Sequence, residues 1–241
     1  MEVKFKILRF DPKRDKAPHY NTFSVEASLN SRILDCLNKI RWEQDGSLAY
    51  RMSCGHGVCG SDGMTINGVA SLACQKLVKD YDHTNDILIE PLQFFPIIKD
   101  LVVDMTPFFQ RMKATHPLSE EDVTKVEEGK ELKQTIEERA IFDDAIKCIM
   151  CACCTASCPV VLKEEPEFIG PAAVLRAQRH IFDTRVKDVL ERMKILEEPH
   201  GIWSCRTYFK CTEVCPKKIK VTEAILQTKR KILSELHPTG T

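Results

Sequence analysis

Along residues 3–10 apolar and charged positions alternate, with Val3, Phe5 and Ile7 set against Glu2, Lys4 and Lys6. A period of two is the mark of a half-buried strand, and a second extended run at 20–27 predicts its partner. The period then lengthens. Ile33, Leu34, Leu37 and Ile40 recur at helical spacing behind two candidate N-caps, Asn30 and Ser31, and Asp45-Gly46 closes the helix. Met64 and Ile66 lead into an Asn67-Gly68 hairpin turn, and residues 86–91 supply a last strand.

Beyond Pro107 helical periods dominate and no run alternates as a strand would. Residues 119–133 are a charged stretch, predicted as surface helix or linker. Helices are predicted at 135–146, 171–183, 186–196 and 222–236, the second opened by a proline in its first turn. The pattern as a whole predicts an α+β chain of two domains, a β-grasp domain at 1–106 and an all-α domain at 107–241. A length of 241 residues with 43% hydrophobic content supplies a core for each.

Charge changes this picture little, since Lys plus Arg and Asp plus Glu both total 35. No global field points to nucleic acid, so none is expected as a partner. The opening MEVKFKILRF has neither an apolar signal core nor a twin-Arg pair, which predicts a chain kept in a reducing cytoplasm. The longest run without a charge, 148–162, is fifteen residues long and holds five cysteines. That is too short for a membrane span, so an anchor would have to be another chain.

Twelve cysteines change the picture most, because in a reducing compartment they point to metal rather than disulfides. In SCGHGVCGSDGMTINGVASLAC, Cys54 and Cys59 make the C-x4-C start of a plant-type 2Fe-2S site and Cys74 is its distant cysteine. The glycines at 55, 57, 60 and 63 suit a loop wrapped round a cluster, with backbone N–H groups turned to sulfur. Asp62 occupies the third position. A carboxylate oxygen binds iron, though as a harder, more acid-sensitive ligand than thiolate. In the alternative, Asp62 is a turn residue and water or Ser61 completes the shell.

In KCIMCACCTASCPV, Cys148, Cys151, Cys154 and Cys158 spell C-x2-C-x2-C-x3-C-P. In two-cluster ferredoxins the first three such cysteines hold one cubane and the fourth reaches the other. The partner run is SCRTYFKCTEVCPK, with Cys205, Cys211 and Cys215 in register and Tyr208 where the second cysteine belongs. The exchange rule then assigns Cys148, Cys151, Cys154 and Cys215 to a 4Fe-4S cluster. Cys158, Cys205 and Cys211 remain, and three thiolates with a blocked fourth corner suit a 3Fe-4S cluster. Cys36 and Cys153 fall outside the motifs and read as packing residues. Zinc would take cysteines in fours at paired spacings, which two proline-terminated runs behind a glycine-rich loop do not offer.

A plant-type 2Fe-2S half followed by a helical, bacterial-ferredoxin-like half resembles the iron-sulfur subunit of the succinate dehydrogenase and quinol:fumarate reductase family. The resemblance covers nearly the whole chain and rests on RMSCGHGVCGSDG, LACQK, KCIMCACCTASCP, FIGPAAVLRAQR and the final SC-x5-C-x3-CPK. It implies an electron carrier between a FAD-containing flavoprotein subunit, where succinate and fumarate interconvert, and a membrane anchor with quinone and haem b. It also implies a place on the cytoplasmic face of the cell membrane, held there through the anchor. The aromatic pair after the Cys-Pro dipeptide in ubiquinone-type members is Leu162 and Lys163 here, which tilts the reading toward a menaquinone-type complex. Pro159, which follows a ligand of the 3Fe-4S site, and Lys229, which stands where similar menaquinol fumarate reductases place a quinone-side lysine, are the candidates for the quinone side. Lys229 also reads as one of a basic trio with Arg230 and Lys231 on a solvated or anchor-facing helix. Lys217, Lys218 and Lys220 fit anionic headgroups, an acidic anchor loop or a solvated face equally. The rival reading is the iron-sulfur subunit of a soluble flavoprotein reductase coupled to a thiol or disulfide partner.

Overall fold

The computed structural model describes residues 1–115 and 129–238. The chain divides into two compact units, Met1–Met105 with Ile149–Ser157, and Thr106–Cys148 with the chain from Cys158 onward. In chain order the helices are α1 (Ile33–Lys39), α2 (Thr106–Ala114), α3 (Ile136–Ile146), α4 (Cys153–Ala156), α5 (Pro171–Ile181), α6 (Val189–Glu197), α7 (Lys210–Glu213) and α8 (Val221–Leu236).

The first unit is built on a sheet of β1 (Glu2–Arg9), β2 (His19–Glu26), β3 (Gly63–Ile66), β4 (Val69–Leu72) and β5 (Ile87–Glu90), in the order β2-β1-β5-β3-β4. The alternation at the N-terminus sets the register, and Val3, Phe5 and Ile7 are fully buried. β1 runs antiparallel to β2, with Phe5 opposite Phe23, and parallel to β5, with Phe5 opposite Ile87. The β1 end is held by Arg9, which pairs with Asp45 and, at 3.1 Å, with the buried Asp100. Asp100 also accepts from the Phe10 and Ala49 amides. A short hairpin that the hydrophobic pattern did not reveal, β6 (Ile97–Lys99) and β7 (Val102–Val103), completes the unit.

Helix α1 begins later than its two candidate caps. Ser31 Oγ accepts from the Ser28 amide at 3.0 Å instead, and Arg32 is the N-cap residue. The Ile33 and Leu34 amides donate to the carbonyls of Lys76 and Ala73, tying the start of the helix to the segment that carries Cys74. One π-type turn, Ile40–Gln44, follows before the chain leaves at Asp45.

In the second unit α5 is the hub, packing against α2, α3, α6 and α8. Its Ala172, Ala173 and Ala177 are buried, and such small side chains let neighbouring helices approach. α3 starts as its sequence predicts, because Thr135 and Glu138 exchange hydrogen bonds at 3.1 and 2.8 Å in a capping box. α5 ends two residues short of 183, and α6 starts three residues after 186. There Asp183 takes the Arg185 side chain and amide into a turn, and Asp188 lies at φ +56, where a helix cannot continue. Of the charged stretch 119–133, residues 119–128 lie outside the described residues and 129–133 form no helix.

Candidate metal centres

The loop between Cys54 and β3 lies within the first unit. Gly55, Gly57 and Gly60 have φ of +66, +69 and +70, a left-handed path that turns amides inward. Cys54 Sγ accepts from the His56 amide at 3.3 Å and the Cys59 amide at 3.4 Å. These donors, His56 first, bring the Cys54 thiol down to about 6. Cys59 Sγ lies 3.1 Å from Ser61 Oγ. Asp62 is buried, and its Oδ2 accepts from the Cys74 amide at 2.6 Å. Burial, and then the Asp62 carboxyl beside it, push the Cys74 thiol up to about 12. Such a buried thiol becomes thiolate when a metal charge is beside it. Cys54 thus lies beside Cys59 and Cys74, and Asp62 beside Cys74, a set of sulfur and carboxylate donors whose chemistry suits iron.

The two proline-terminated cysteine runs share a backbone. Met150 and Ala152 have φ of +54 and +63, and Thr207 and Phe209, each 57 residues later, have φ of +61 and +63. The single-turn helices α4 and α7 begin at the same offset, Cys153 and Lys210. In this register Cys148 matches Cys205, Cys154 matches Cys211, Cys158 matches Cys215, and Cys151 matches Tyr208. The Tyr208 side chain is half exposed and its hydroxyl donates to Glu164 Oε1 at 2.6 Å.

In the second unit Cys158, Cys205, Cys211, Pro159, Tyr208 and Thr222 lie on the wall of one recess with about 320 Å³ of unfilled space, part of it open to solvent. Burial pushes the Cys211 thiol up to about 11 and raises Cys158, and the neighbouring thiols add to both shifts. Thr222 Oγ1 lies 3.4 Å from Cys211 Sγ. Three thiols on one concave wall match the donor chemistry of an iron-sulfur cluster. Among the described residues no three His, Cys, Asp or Glu side chains converge on one point as ligands of a single ion do.

Lys229 is no member of a solvated trio. Its Nζ donates to the Cys205 carbonyl at 2.9 Å and lies 5.5 Å from the centre of the Trp203 ring, and burial lowers its pKa. Cys215 Sγ accepts from the Ile219 amide at 3.4 Å. Cys36 and Cys153 are buried, as packing residues should be, and Cys153 also hydrogen-bonds to Cys151, which lowers the Cys151 pKa. The sequence motifs do not reveal Glu164, Trp203 and Thr222, none of which belongs to a metal-binding pattern.

Residues 4–110 match the family described as 2Fe-2S iron-sulfur cluster binding domain, and residues 144–219 match the 4Fe-4S dicluster domain. Over 235 residues the chain is 39% identical to the succinate dehydrogenase iron-sulfur subunit of Coxiella burnetii, covering 96% of this chain and 97% of that one. It belongs to the succinate dehydrogenase and fumarate reductase iron-sulfur subunit family. The fumarate reductase iron-sulfur subunit of Escherichia coli is 38% identical over 227 residues, covering 94% of this chain and 91% of its own length. A chain of the Mycobacterium smegmatis Sdh1 complex in the apo form, 24% identical, shares the fold with a TM-score of 0.89 over 99% of both chains. As a member of this family the protein is an electron-carrying subunit of an oxidoreductase complex, with a 2Fe-2S domain ahead of a 4Fe-4S dicluster domain. Among the described residues no helix is long and apolar enough to cross a membrane.

Proposed function

We propose that this chain relays electrons between a FAD-containing flavoprotein subunit, the site of succinate and fumarate chemistry, and quinone in a membrane anchor carrying haem b. Its place is the cytoplasmic face of the cell membrane. Cys54, Cys59, Asp62 and Cys74 hold 2Fe-2S in a β-grasp domain at 1–106. Cys148, Cys151, Cys154 and Cys215 hold 4Fe-4S, and Cys158, Cys205 and Cys211 hold 3Fe-4S, in a bacterial-ferredoxin-like domain at 107–241. The observation that carries the reading is the shared backbone of the two cysteine runs, in which Tyr208 matches Cys151. The division of the chain at Met105 and Thr106 supports the boundary, although Ile149–Ser157 clusters with the first unit.

When bound, the clusters supply one-electron carriers whose potentials follow cluster type, charge, hydrogen bonds to sulfur and exposure. The protein's own groups set the last two. The His56, Cys59 and Ser61 amides donate to Cys54 and Cys59, and the Ile219 amide donates to Cys215. Each such donor favours the more negative, reduced state. Pro159 in the recess wall and Lys229 on the Cys205 carbonyl form the quinone side, where a held cation favours a reduced, anionic quinone oxygen.

Potentiometric EPR on the intact complex, with iron and acid-labile sulfide analysis, tests the assignment. Three centres of two, four and three irons are expected, and stoichiometric zinc in their place would overturn it. The absorption spectrum of the copurified anchor reports its haem.

A further inference from the structure

Two glycines of the 2Fe-2S loop are explained neither by cluster wrapping nor by turn geometry alone. A Cβ added at Gly60 would stand 2.9 Å from Cys151 Cβ, 3.0 Å from the Ile149 carbonyl oxygen and 3.1 Å from Cys151 Cα. One added at Gly63 would stand 3.1 Å from the Cys151 carbonyl oxygen and 3.4 Å from Leu92 Cδ1. Carbon atoms in good contact sit about 3.5–4.0 Å apart, so a methyl group at Gly60 would force its neighbours to shift, and one at Gly63 would press on residue 151 unless that backbone gave way slightly. All of these residues belong to the first unit.

The other glycines of this region separate the causes. Gly55 has φ +66 and Gly68 has φ +79, yet a Cβ at either would meet nothing within 4 Å, so backbone torsion alone accounts for them. Gly60 combines φ +70 with the close contact, whereas Gly63 has the contact without a left-handed torsion. The chain thus keeps bare Cα atoms at the two points where the loop meets residues 149–151. Each bare position directly follows a proposed 2Fe-2S ligand, Cys59 before Gly60 and Asp62 before Gly63.

We propose that Gly60 and Gly63 form a seat for residues 149–151 that fixes how closely the 2Fe-2S ligands approach Cys151, and thereby sets electron exchange between the first two centres. The proposal rests on the ligand reading given above. The step itself moves one electron, one centre being oxidised as the other is reduced, with no bond made or broken and no proton required. Tunnelling falls steeply with separation, so backbone in close contact with Cys151 offers a short protein path between the ligand sets. Gly60 and Gly63 are positioning residues on this path, not ligands.

The test compares the holo complexes of Gly60→Ala, Gly63→Ala and Gly55→Ala with wild type by EPR. Double integration counts each cluster, and microwave power saturation of the reduced 2Fe-2S signal reports relaxation by a paramagnetic neighbour, which weakens with distance. Gly60→Ala and Gly63→Ala should keep the 2Fe-2S signal but saturate at lower power, Gly60→Ala the more, with slower exchange between the centres after rapid reduction. Gly55→Ala measures what left-handed strain in the loop does by itself, and the change in Gly60→Ala should exceed any change it shows. Gly60→Ala with both clusters present and saturation equal to that of Gly55→Ala would overturn the seat. If Gly60→Ala does not assemble, Gly63→Ala decides alone, because it adds no torsional strain, and wild-type saturation there overturns the proposal. A wild-type complex lacking a 2Fe-2S signal would instead overturn the ligand reading on which the seat depends.

Discussion

The loops at 148–158 and 205–215 trace the same path, with left-handed residues at matching places and a single helical turn after each. They differ at one functional position. Cys151 lies within the first unit, and Gly60 can carry no Cβ beside it, whereas Tyr208 leans out to Glu164. In the proposed assignment the backbone carries the cage, and a single side chain decides whether its fourth corner is filled. The 2Fe-2S loop repeats the lesson with the opposite outcome. Its odd residue, Asp62, is buried with one carboxylate oxygen on the Cys74 amide, so a non-cysteine at a motif position is turned inward there and outward at 208.

Removing the iron should break the comparison most severely, because it removes what both loops wrap. In the second unit α7 is four residues long, too short to persist by itself, and in the proposed assignment Cys158, Cys205 and Cys211 join segments up to 53 residues apart. Cluster binding is then part of the folding free energy. Chelation should cost the second unit its cooperative helical melt, while hydrogen exchange should still protect β1 and β5, whose core is independent of iron. Equal helicity and Tm in apo and holo protein would contradict this.

Tyr208→Cys erases the difference between the loops. With a thiolate at 208 joining those of Cys158, Cys205 and Cys211, a fourth iron should be retained and the 3Fe-4S EPR signal lost. The change of cluster type should lower the potential, each drop of about 59 mV being tenfold in the one-electron equilibrium. Quinone-linked turnover should fall while dye-linked exchange with the flavoprotein survives. A folded variant with the oxidised 3Fe-4S signal at full intensity would mean that position 208 does not face the open corner.

Asp62 tests whether a buried non-cysteine can replace the missing thiolate. Asp62→Cys should keep a 2Fe-2S cluster, and Asp62→Ala should leave it labile, most of all in acid. Asp62→Ala also strips the buried Cys74 amide of its acceptor, at a cost of about 1–3 kcal/mol. Visible spectra and cluster lifetime against pH are the measurements. An Asp62→Ala protein with unchanged spectrum and lifetime would return Asp62 to the role of a turn residue.

What can be read from the amino-acid sequence depends on the kind of signal each element leaves there. β1 announces itself by alternation, β2 by the extended run that follows, α3 by its helical period and α5 by its proline, all local effects of local residues. The register of the second cysteine run is legible too, since Cys205, Cys211 and Cys215 pin it even with tyrosine at 208. The left-handed turns at Met150, Ala152, Thr207 and Phe209 are not, because none of those residues favours that conformation and only the loop as a whole holds it. Lys229 misleads for a related reason. Its immediate sequence neighbours Thr228, Arg230 and Lys231 are polar, and only the tertiary fold sets its ammonium on the Cys205 carbonyl and the Trp203 ring.

The smallest expected effect sharpens the comparison of backbones alone. Met150 and Thr207 hold equivalent left-handed positions, at φ +54 and +61, where a side chain costs roughly 1–2 kcal/mol that glycine does not. Glycine gives back part of this through the greater freedom of its unfolded chain, so each substitution should stabilise the cluster-loaded protein by about 0.5–1 kcal/mol. Thr207→Gly should gain more than Met150→Gly, because branching at Cβ makes threonine the worse fit to this torsion. Thermal melts of the holo protein with matched cluster content would measure both. If Thr207→Gly were destabilising while Met150→Gly was stabilising, the two loops would share a path without sharing what maintains it, and the threonine side chain would have to be contributing contacts that outweigh its torsional cost.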